Sequence, residues 1–220
     1  MPDCVLFDLD GLLVDSEPLQ FRAYRQAFAD YDIELSMDDW IRWHSAEAST
    51  RRWVESEGLT VDVEELRDHK KGIYEELIRT ELALKPGAQA LVESCTHEAR
   101  LAVVSASRRE SIEACLDKHG LLDCFDTLVS GAEATRSKPY PDPYLAALRI
   151  LDALPAQAVA IEDSLTGFRA ALAAGIKCVI CPDHFIPKPD GCFDDADLVV
   201  NSLEALDIDR LRQLFRDDDR

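Results

Sequence analysis

Basic residues are scarce in this sequence: 24 Lys and Arg stand against 43 Asp and Glu, for a formal net charge of -19. Such a charge repels the phosphates of nucleic acids and anionic lipids, so neither nucleic acid nor membrane is expected as a partner. No run of about 18 apolar residues occurs, so no transmembrane helix is expected. The N-terminus has no positive charge ahead of its first apolar run, which argues against a signal peptide and for a cytoplasmic protein.

The usual metal and redox patterns are also missing. The five histidines show no metal-ligand spacing, and the seven cysteines are odd in number and irregularly spaced. One C-x-x-C motif, Cys178 to Cys181, lies in an apolar run where its two side chains would point to opposite faces of a strand. Buried free thiols are therefore expected there rather than a redox or zinc site. No P-loop and no G-x-G-x-x-G run indicates nucleotide binding.

Apolar runs and helical patterns alternate along most of the chain. Short apolar runs that suit buried strands occur at 4–8, 101–104, 128–129, 158–161, 177–181 and 198–200. Helical patterns follow at 88–98, 110–118, 143–151 and 165–174. This alternation predicts an α/β fold, a Rossmann-like parallel sheet with right-handed crossovers.

A helical block interrupts this alternation after the first predicted strand. Residues 16–84 contain helical patterns at about 16–29, 36–43, 47–57 and 63–82. The sequence therefore predicts two domains: a catalytic core of residues 1–15 and 85–220, and an inserted α-helical cap domain of residues 16–84. Ligands of open α/β sheets bind beyond the carboxyl ends of the strands, so the insertion is expected to cover that position.

Acidic residues follow the first predicted strand directly. Asp8 and Asp10 are two residues apart, and Gly11 permits a tight turn after them. Two carboxylates this close repel each other, so they need a cation or a shared proton. Magnesium commonly binds one or two carboxylates together with phosphate oxygens. An EF-hand loop does not fit, because its glycine is the sixth residue and here the glycine is the fourth. The pair alone is equally consistent with an acidic turn.

Three further positions complete a possible site. Residues 105–107 follow the second apolar run, and a hydroxyl with exposed N–H groups before a helix can hold phosphate. Lys138 lies on a proline-rich loop and offers a point charge. Glu162 and Asp163 are a second acidic pair at a strand end. Separately, these residues are also explained as a helix cap, a surface lysine and acids at a helix start. Together they predict a phosphate and magnesium site at one edge of the sheet.

Four segments in this order resemble the motifs of the haloacid dehalogenase superfamily: Phe7-Asp8-Leu9-Asp10-Gly11, Val104-Ser105-Ala106-Ser107, Lys138-Pro139 and Ile161-Glu162-Asp163-Ser164. The resemblance covers nearly the whole chain. It extends to the subfamily whose helical cap follows the first motif, in the branch of β-phosphoglucomutases and sugar-phosphate phosphatases. It implies a Mg2+ cofactor and a small-molecule phosphate monoester as substrate.

The resemblance also implies a role for each motif residue. Asp8 would be the nucleophile that forms an aspartyl-phosphate, and Asp10 the general acid and base. Magnesium would be bound by Asp8, by the Asp10 backbone carbonyl, by Glu162 and by Asp163. The phosphoryl oxygens would be held by Ser105, Ala106, Ser107 and Lys138.

Departures from the mutase pattern favour a phosphatase. Gln20 stands where the mutases have a histidine, and the first cap loop, residues 43–49, has no glycine. Asp10 argues against C–halogen cleavage, since a halide leaves without protonation. His44 and Glu47 are predicted substrate contacts of the cap. A hexose-phosphate mutase remains an alternative, followed by a 2-haloacid dehalogenase and a non-catalytic binding protein. A monomer is expected.

Overall fold

A computed structural model describes residues 2–46 and 48–216 of the chain. These residues form two compact units. The first unit contains the residues up to Asp15, Leu84–Asp183 and the residues from Asp190 onward. The second unit contains Ser16–Ala83 and His184–Pro189.

The unit boundaries differ from the sequence expectation at two places. The sequence predicts Leu84 in the helical insertion, but Leu84 belongs to the first unit, where it pairs with Val14. The sequence predicts residues 184–189 in the core, but they belong to the helical unit. The reason is packing: Phe185 and Ile186 join the hydrophobic cluster of the helical unit. A contact of this kind leaves no periodic pattern in so short a segment.

The strands of the first unit are β1 Cys4–Phe7, β2 Arg100–Ser105, β3 Thr127–Ser130, β4 Ala158–Glu162, β5 Lys177–Ile180 and β6 Leu198–Val199. Within the described residues they form one parallel sheet in the order β3-β2-β1-β4-β5-β6. The predicted α/β fold is thereby confirmed. All residues of β1 and β4 are buried, as expected for central strands covered on both faces. The strand order reverses beside β1, the position where open α/β sheets bind ligands.

Helices account for most of the remaining described structure. The helical unit contains α1 Glu17–Ala29, α2 Met37–Ser45, α3 Thr50–Ser56 and α4 Val63–Glu81. The first unit contains α5 Ala88–Cys95, α6 Arg109–Lys118, α7 Asp142–Ile150, α8 Leu165–Ala173 and α9 Ile208–Arg216. Helix α3 begins later than predicted, because the Ser49 side chain caps it by accepting from the Arg52 N–H. Helix α9 was not predicted. None of the described helices has the length and apolarity needed to cross a membrane.

Aromatic side chains form the core of the helical unit. Trp40, Trp43 and Trp53 are all buried there, and the rings of Trp43 and Trp53 are stacked at 5.6 Å. Phe21 and Phe28 extend the cluster from α1. Aromatic residues bury large areas, so this unit has a dense core of its own despite its short helices.

Candidate active site

The predicted site residues of the first, second and fourth motifs lie at the carboxyl ends of three neighbouring strands of the first unit. Phe7, the last residue of β1, is in register with Val103 of β2 and with Ile161 of β4. Asp8, the residue that follows β1, donates its backbone N–H to the Ile161 carbonyl at 3.0 Å. The parallel register therefore brings the first, second and fourth sequence motifs to one edge of the sheet. Lys138 reaches the same edge from the loop before α7.

Lys138 connects two buried carboxylates. Its Nζ donates to Asp8 Oδ1 at 2.5 Å, to Glu162 Oε1 at 2.6 Å and to the Val104 carbonyl at 2.8 Å. The side chains of Lys138, Asp8 and Glu162 are 7%, 10% and 0% exposed. All three ammonium protons thus have partners. With both carboxylates ionised, the cluster would carry one uncompensated negative charge.

Burial and the neighbouring charges together raise the pKa of Asp8. Burial raises the pKa of Asp8 to about 8; Lys138 opposes the increase, while the negative charges of Glu162 and Asp10 add to it. Burial alone would lower the pKa of Lys138, but the adjacent Asp8 and Glu162 carboxylates raise it above its usual range. Lys138 is therefore a stable cation. Further positive charge at the site would favour the ionised form of Asp8.

Three buried carboxylates of the first unit lie close enough together to bind a hard divalent cation. One oxygen from each of Asp8, Glu162 and Asp163 lies within 4.8 Å of the other two, and all three residues are buried. Gly11 keeps this space open, because a Cβ at that position would lie 2.5 Å from Asp163 Oδ2. Gly11 also has φ of +81°, a conformation that favours glycine. Clustered carboxylate oxygens are the ligands that magnesium prefers in proteins.

Two serine hydroxyls orient Asp10. Ser105 Oγ and Ser107 Oγ both donate to Asp10 Oδ2, at 3.0 and 2.8 Å. Ser105 Oγ in turn accepts from the Ser107 N–H at 3.0 Å. Ala106 is exposed between the two serines. The carboxylate of Asp10 therefore points toward β2, whereas that of Asp8 contacts Lys138.

Sequence reasoning missed Tyr144 and the Lys85 contacts. The hydroxyl of Tyr144, which is fully buried on α7, donates to Glu162 Oε1 at 2.5 Å. Lys85 Nζ lies 2.7 Å from Asp183 and 3.4 Å from Asp15. The backbone N–H of Lys85 also donates to the Leu13 carbonyl, in the loop that carries Asp10. Since each contact joins distant parts of the chain, no local pattern could have indicated it.

The structure describes one of the two predicted substrate contacts of the cap. His44 is on α2, where its Nδ1 lies 3.0 Å from the Trp40 carbonyl and its ring packs at 3.9 Å on the Trp40 ring. Burial lowers the pKa of His44, which favours the neutral imidazole. Glu47 lies outside the described residues. The substrate contacts assigned to these two residues stay predictions.

Comparisons with known proteins agree with this fold. Residues 5–181 match the family described as haloacid dehalogenase-like hydrolase. The chain is 31% identical to protein CbbY of Cereibacter sphaeroides, over 94% of each chain. It is 33% identical to the phosphorylated carbohydrates phosphatase of Thermotoga maritima, over 80% of this chain and 82% of that protein. A crystal structure of a CbbY mutant from Rhodobacter sphaeroides with xylulose-(1,5)bisphosphate has a TM-score of 0.80 and 29% identity, covering 94% of this chain and 96% of that chain.

Proposed function

The chain belongs to the haloacid dehalogenase-like hydrolase family, and on this premise we propose that it is a Mg2+-dependent phosphatase. Its substrate would be a small phosphate monoester, a sugar phosphate or a similar metabolite. The observation that carries the proposal is the pair of differently held carboxylates: Asp8 is buried against Lys138, and Asp10 is held by two serine hydroxyls. Asp8 lies beside the Lys138 ammonium, which would bind phosphate. Asp10 is held in one orientation, in which it would exchange a proton with the substrate.

The proposed reaction has two steps. In the first, an Asp8 carboxylate oxygen attacks phosphorus, the bond from phosphorus to the leaving oxygen breaks, and Asp10 donates its proton to that oxygen. In the second, Asp10 takes a proton from water as the water oxygen attacks the aspartyl-phosphate. The bond from phosphorus to Asp8 then breaks and inorganic phosphate is released. Asp8 and Asp10 are both returned to their starting states.

Other residues would bind the metal and the phosphoryl group. Magnesium held by Asp8, Asp163, Glu162 and the Asp10 carbonyl would neutralise charge on the transferring phosphoryl group. Lys138 keeps its positive charge in the buried site, as its raised pKa indicates, and would pair with a phosphoryl oxygen. The Ala106 N–H at the end of β2 would hold another phosphoryl oxygen. The Ser105 and Ser107 hydroxyls donate their single protons to Asp10 Oδ2, so they would hold phosphoryl oxygens only after turning away from Asp10.

The mutase alternative is less well supported. Gln20 replaces the histidine of the mutases, and its amide oxygen accepts from Lys70 Nζ within the helical unit. An amide does not titrate between pH 5 and 8, so Gln20 cannot relay a proton as a histidine does. The same proposal has four further parts. They are the division into a catalytic core and a cap, the substrate contacts of His44 and Glu47, a cytoplasmic location and a monomeric state.

Phosphate release from a panel of monoesters tests this function. The panel should contain hexose and pentose phosphates, phosphoglycolate, nucleoside monophosphates and, in view of the CbbY complex, xylulose 1,5-bisphosphate. We expect release from at least one sugar phosphate with Mg2+ and none above background after chelation with EDTA. Isomerisation of a hexose phosphate without net release would instead indicate a mutase. No reaction with any compound would contradict both readings.

Asp163→Asn is expected to weaken Mg2+ binding by at least about tenfold, or 1.4 kcal/mol. The substitution keeps the size of the side chain but removes the carboxylate from one of the three clustered acids. Isothermal titration calorimetry with Mg2+ measures the effect without any substrate. Asp195→Asn, which changes an exposed aspartate of the same unit, is the matched control and should bind as the wild type does. Equal affinity in the two variants would remove Asp163 from the proposed metal site.

A further inference from the structure

The fully buried carboxylate of Glu162 has an unusually complete set of neighbours. Its Oε1 accepts from Lys138 Nζ at 2.6 Å and from the Tyr144 hydroxyl at 2.5 Å. Its Oε2 lies 3.5 Å from Ser164 Oγ. Tyr144 is itself 0% exposed. Burying an ionised carboxylate is costly unless it is paired and hydrogen-bonded, so these contacts explain how Glu162 is tolerated in the core.

Gly167 leaves the space that this carboxylate occupies. A Cβ at Gly167 would overlap the carboxyl carbon and both carboxyl oxygens of Glu162. The backbone of Gly167 is helical, in the first turn of α8, and has no positive φ. Glycine destabilises a helix relative to alanine. Its presence here is therefore explained by space for Glu162 rather than by backbone conformation.

These contacts form a chain of hydrogen bonds that ends at the nucleophile. Tyr144 on α7 holds Glu162 Oε1, Glu162 holds Lys138, and Lys138 lies 2.5 Å from Asp8 Oδ1. A lysine has a flexible stem, so fixed partners determine where its charge lies. We propose that Tyr144 is a positioning residue: its hydroxyl fixes the Glu162 carboxylate, which places the Lys138 ammonium beside Asp8. The consequence for catalysis rests on the proposed phosphatase function.

The proposal predicts a specific kinetic signature. Without the hydroxyl, Glu162 Oε1 loses one of its two donors, so the carboxylate is fixed less firmly and Lys138 is held less closely to the position beside Asp8. Lys138 would act on the phosphoryl oxygens and not on the leaving oxygen. The loss should therefore be the same for alkyl and aryl phosphates, and inorganic phosphate should inhibit more weakly.

Tyr144→Phe is the principal test, because it removes the hydroxyl and keeps the buried ring. We expect kcat/KM to fall about tenfold on both substrate types, the size of one hydrogen bond to a charged group, and phosphate inhibition to weaken similarly. Tyr31→Phe is the control: it removes the hydroxyl of a half-buried tyrosine in the helical unit, and its kinetics should equal those of the wild type. Gly167→Ala, which displaces the same carboxylate, should lose at least as much activity.

A double variant and a crystal structure separate positioning from general destabilisation. In a Glu162→Gln background, Tyr144→Phe should cause no further loss, because the contact through which it acts is already changed. A crystal structure of Tyr144→Phe should show a rotated Glu162 and a displaced Lys138 Nζ. Kinetics within twofold of the wild type, or an unmoved Lys138, would overturn the proposal. If the wild type releases no phosphate, the phosphatase function fails, and the crystal comparison alone decides whether Tyr144 positions Lys138.

Discussion

Asp8→Asn is expected to abolish phosphate release, with a loss of roughly 10⁴-fold or more, as when the nucleophile of a covalent mechanism is removed. An amide cannot form the phosphoenzyme bond that the mechanism requires. The substitution is nearly isosteric, so Lys138 keeps its contacts with Glu162 and the Val104 carbonyl. Release of phosphate from the preferred monoester, with Mg2+ present, measures the effect. Retention of wild-type rates would rule out Asp8 as nucleophile.

The same variant should be more stable than the wild type when no metal is present. Burial raises the pKa of Asp8 from 3.8 to about 8, so the folded state favours the protonated acid. Because Asp8 ionises when the chain unfolds, the free energy of unfolding falls progressively as the pH rises from about 4 to about 8. The amide of the variant does not ionise and avoids this cost. At pH 7.5 in EDTA we expect a melting temperature at least about 3 °C higher, corresponding to roughly 1 kcal/mol.

The pH dependence provides the control for this stability effect. At pH 4.5, close to the ordinary Asp8 pKa of 3.8, ionisation of Asp8 on unfolding contributes much less free energy, so the difference between variant and wild type should be smaller than at pH 7.5. Asp195→Asn, at an exposed position, should show no stabilisation at either pH. A stability difference that stays constant from pH 4.5 to 7.5 would contradict the burial argument while leaving the nucleophile assignment untouched.

Asp10→Asn should discriminate between leaving groups. We expect a loss of roughly 10²–10⁴-fold on an alkyl phosphate such as a sugar phosphate, because the alkoxide needs the proton of Asp10 to leave. An aryl phosphate such as p-nitrophenyl phosphate has a much better leaving group and should still transfer its phosphoryl group to Asp8. Hydrolysis of the aspartyl-phosphate also needs Asp10 as base. Stopped-flow measurement should therefore show one rapid burst of p-nitrophenol per enzyme, followed by slow turnover.

Ser107→Ala should discriminate between the same two leaving groups, with a smaller loss than Asp10→Asn. It removes one of the two hydroxyls that donate to Asp10 Oδ2, while Ser105 still donates to the same oxygen. The expected loss is about tenfold on the alkyl phosphate and smaller on the aryl phosphate. Equal losses on the two substrates in kcat/KM, which reports the transfer of the phosphoryl group to Asp8, would contradict the assignment of Asp10 as the acid that protonates the leaving group, in either Asp10→Asn or Ser107→Ala.

Much of the fold could be predicted from local patterns. The buried runs at β1 and β4 consist of apolar residues and end at acids, and each is recognisable without its neighbours. Glycines and capping residues mark several helix ends in the same local way. Helix α9 escaped prediction, although Ile208 and Leu211 are buried on it. Its polar and charged residues, one aspartate with three arginines and a glutamine, obscure the short apolar stripe that packs.

The motif residues could be predicted as well, but their contacts could not. Asp8, Lys138 and Glu162 each follow a recognisable segment, and the parallel sheet brings the ends of those segments together. The assignment of catalytic roles to them stays a prediction that the variants above test. Residues 184–189 show the opposite case, since their place in the helical unit depends on the packing of Phe185 and Ile186 and not on any motif.

By itself, the sequence determined the α/β class, the helical insertion and the types of chemical group available at the strand ends. These features arise from residues close together in the chain, where periodicity and capping act. Only the tertiary structure decided that Lys138 bridges Asp8 and Glu162, that Tyr144 holds Glu162, and that the serines hold Asp10. Lys138 and Asp8 are 130 residues apart. Contacts over such separations depend on how the whole sheet is assembled, and therefore leave no local trace in the sequence.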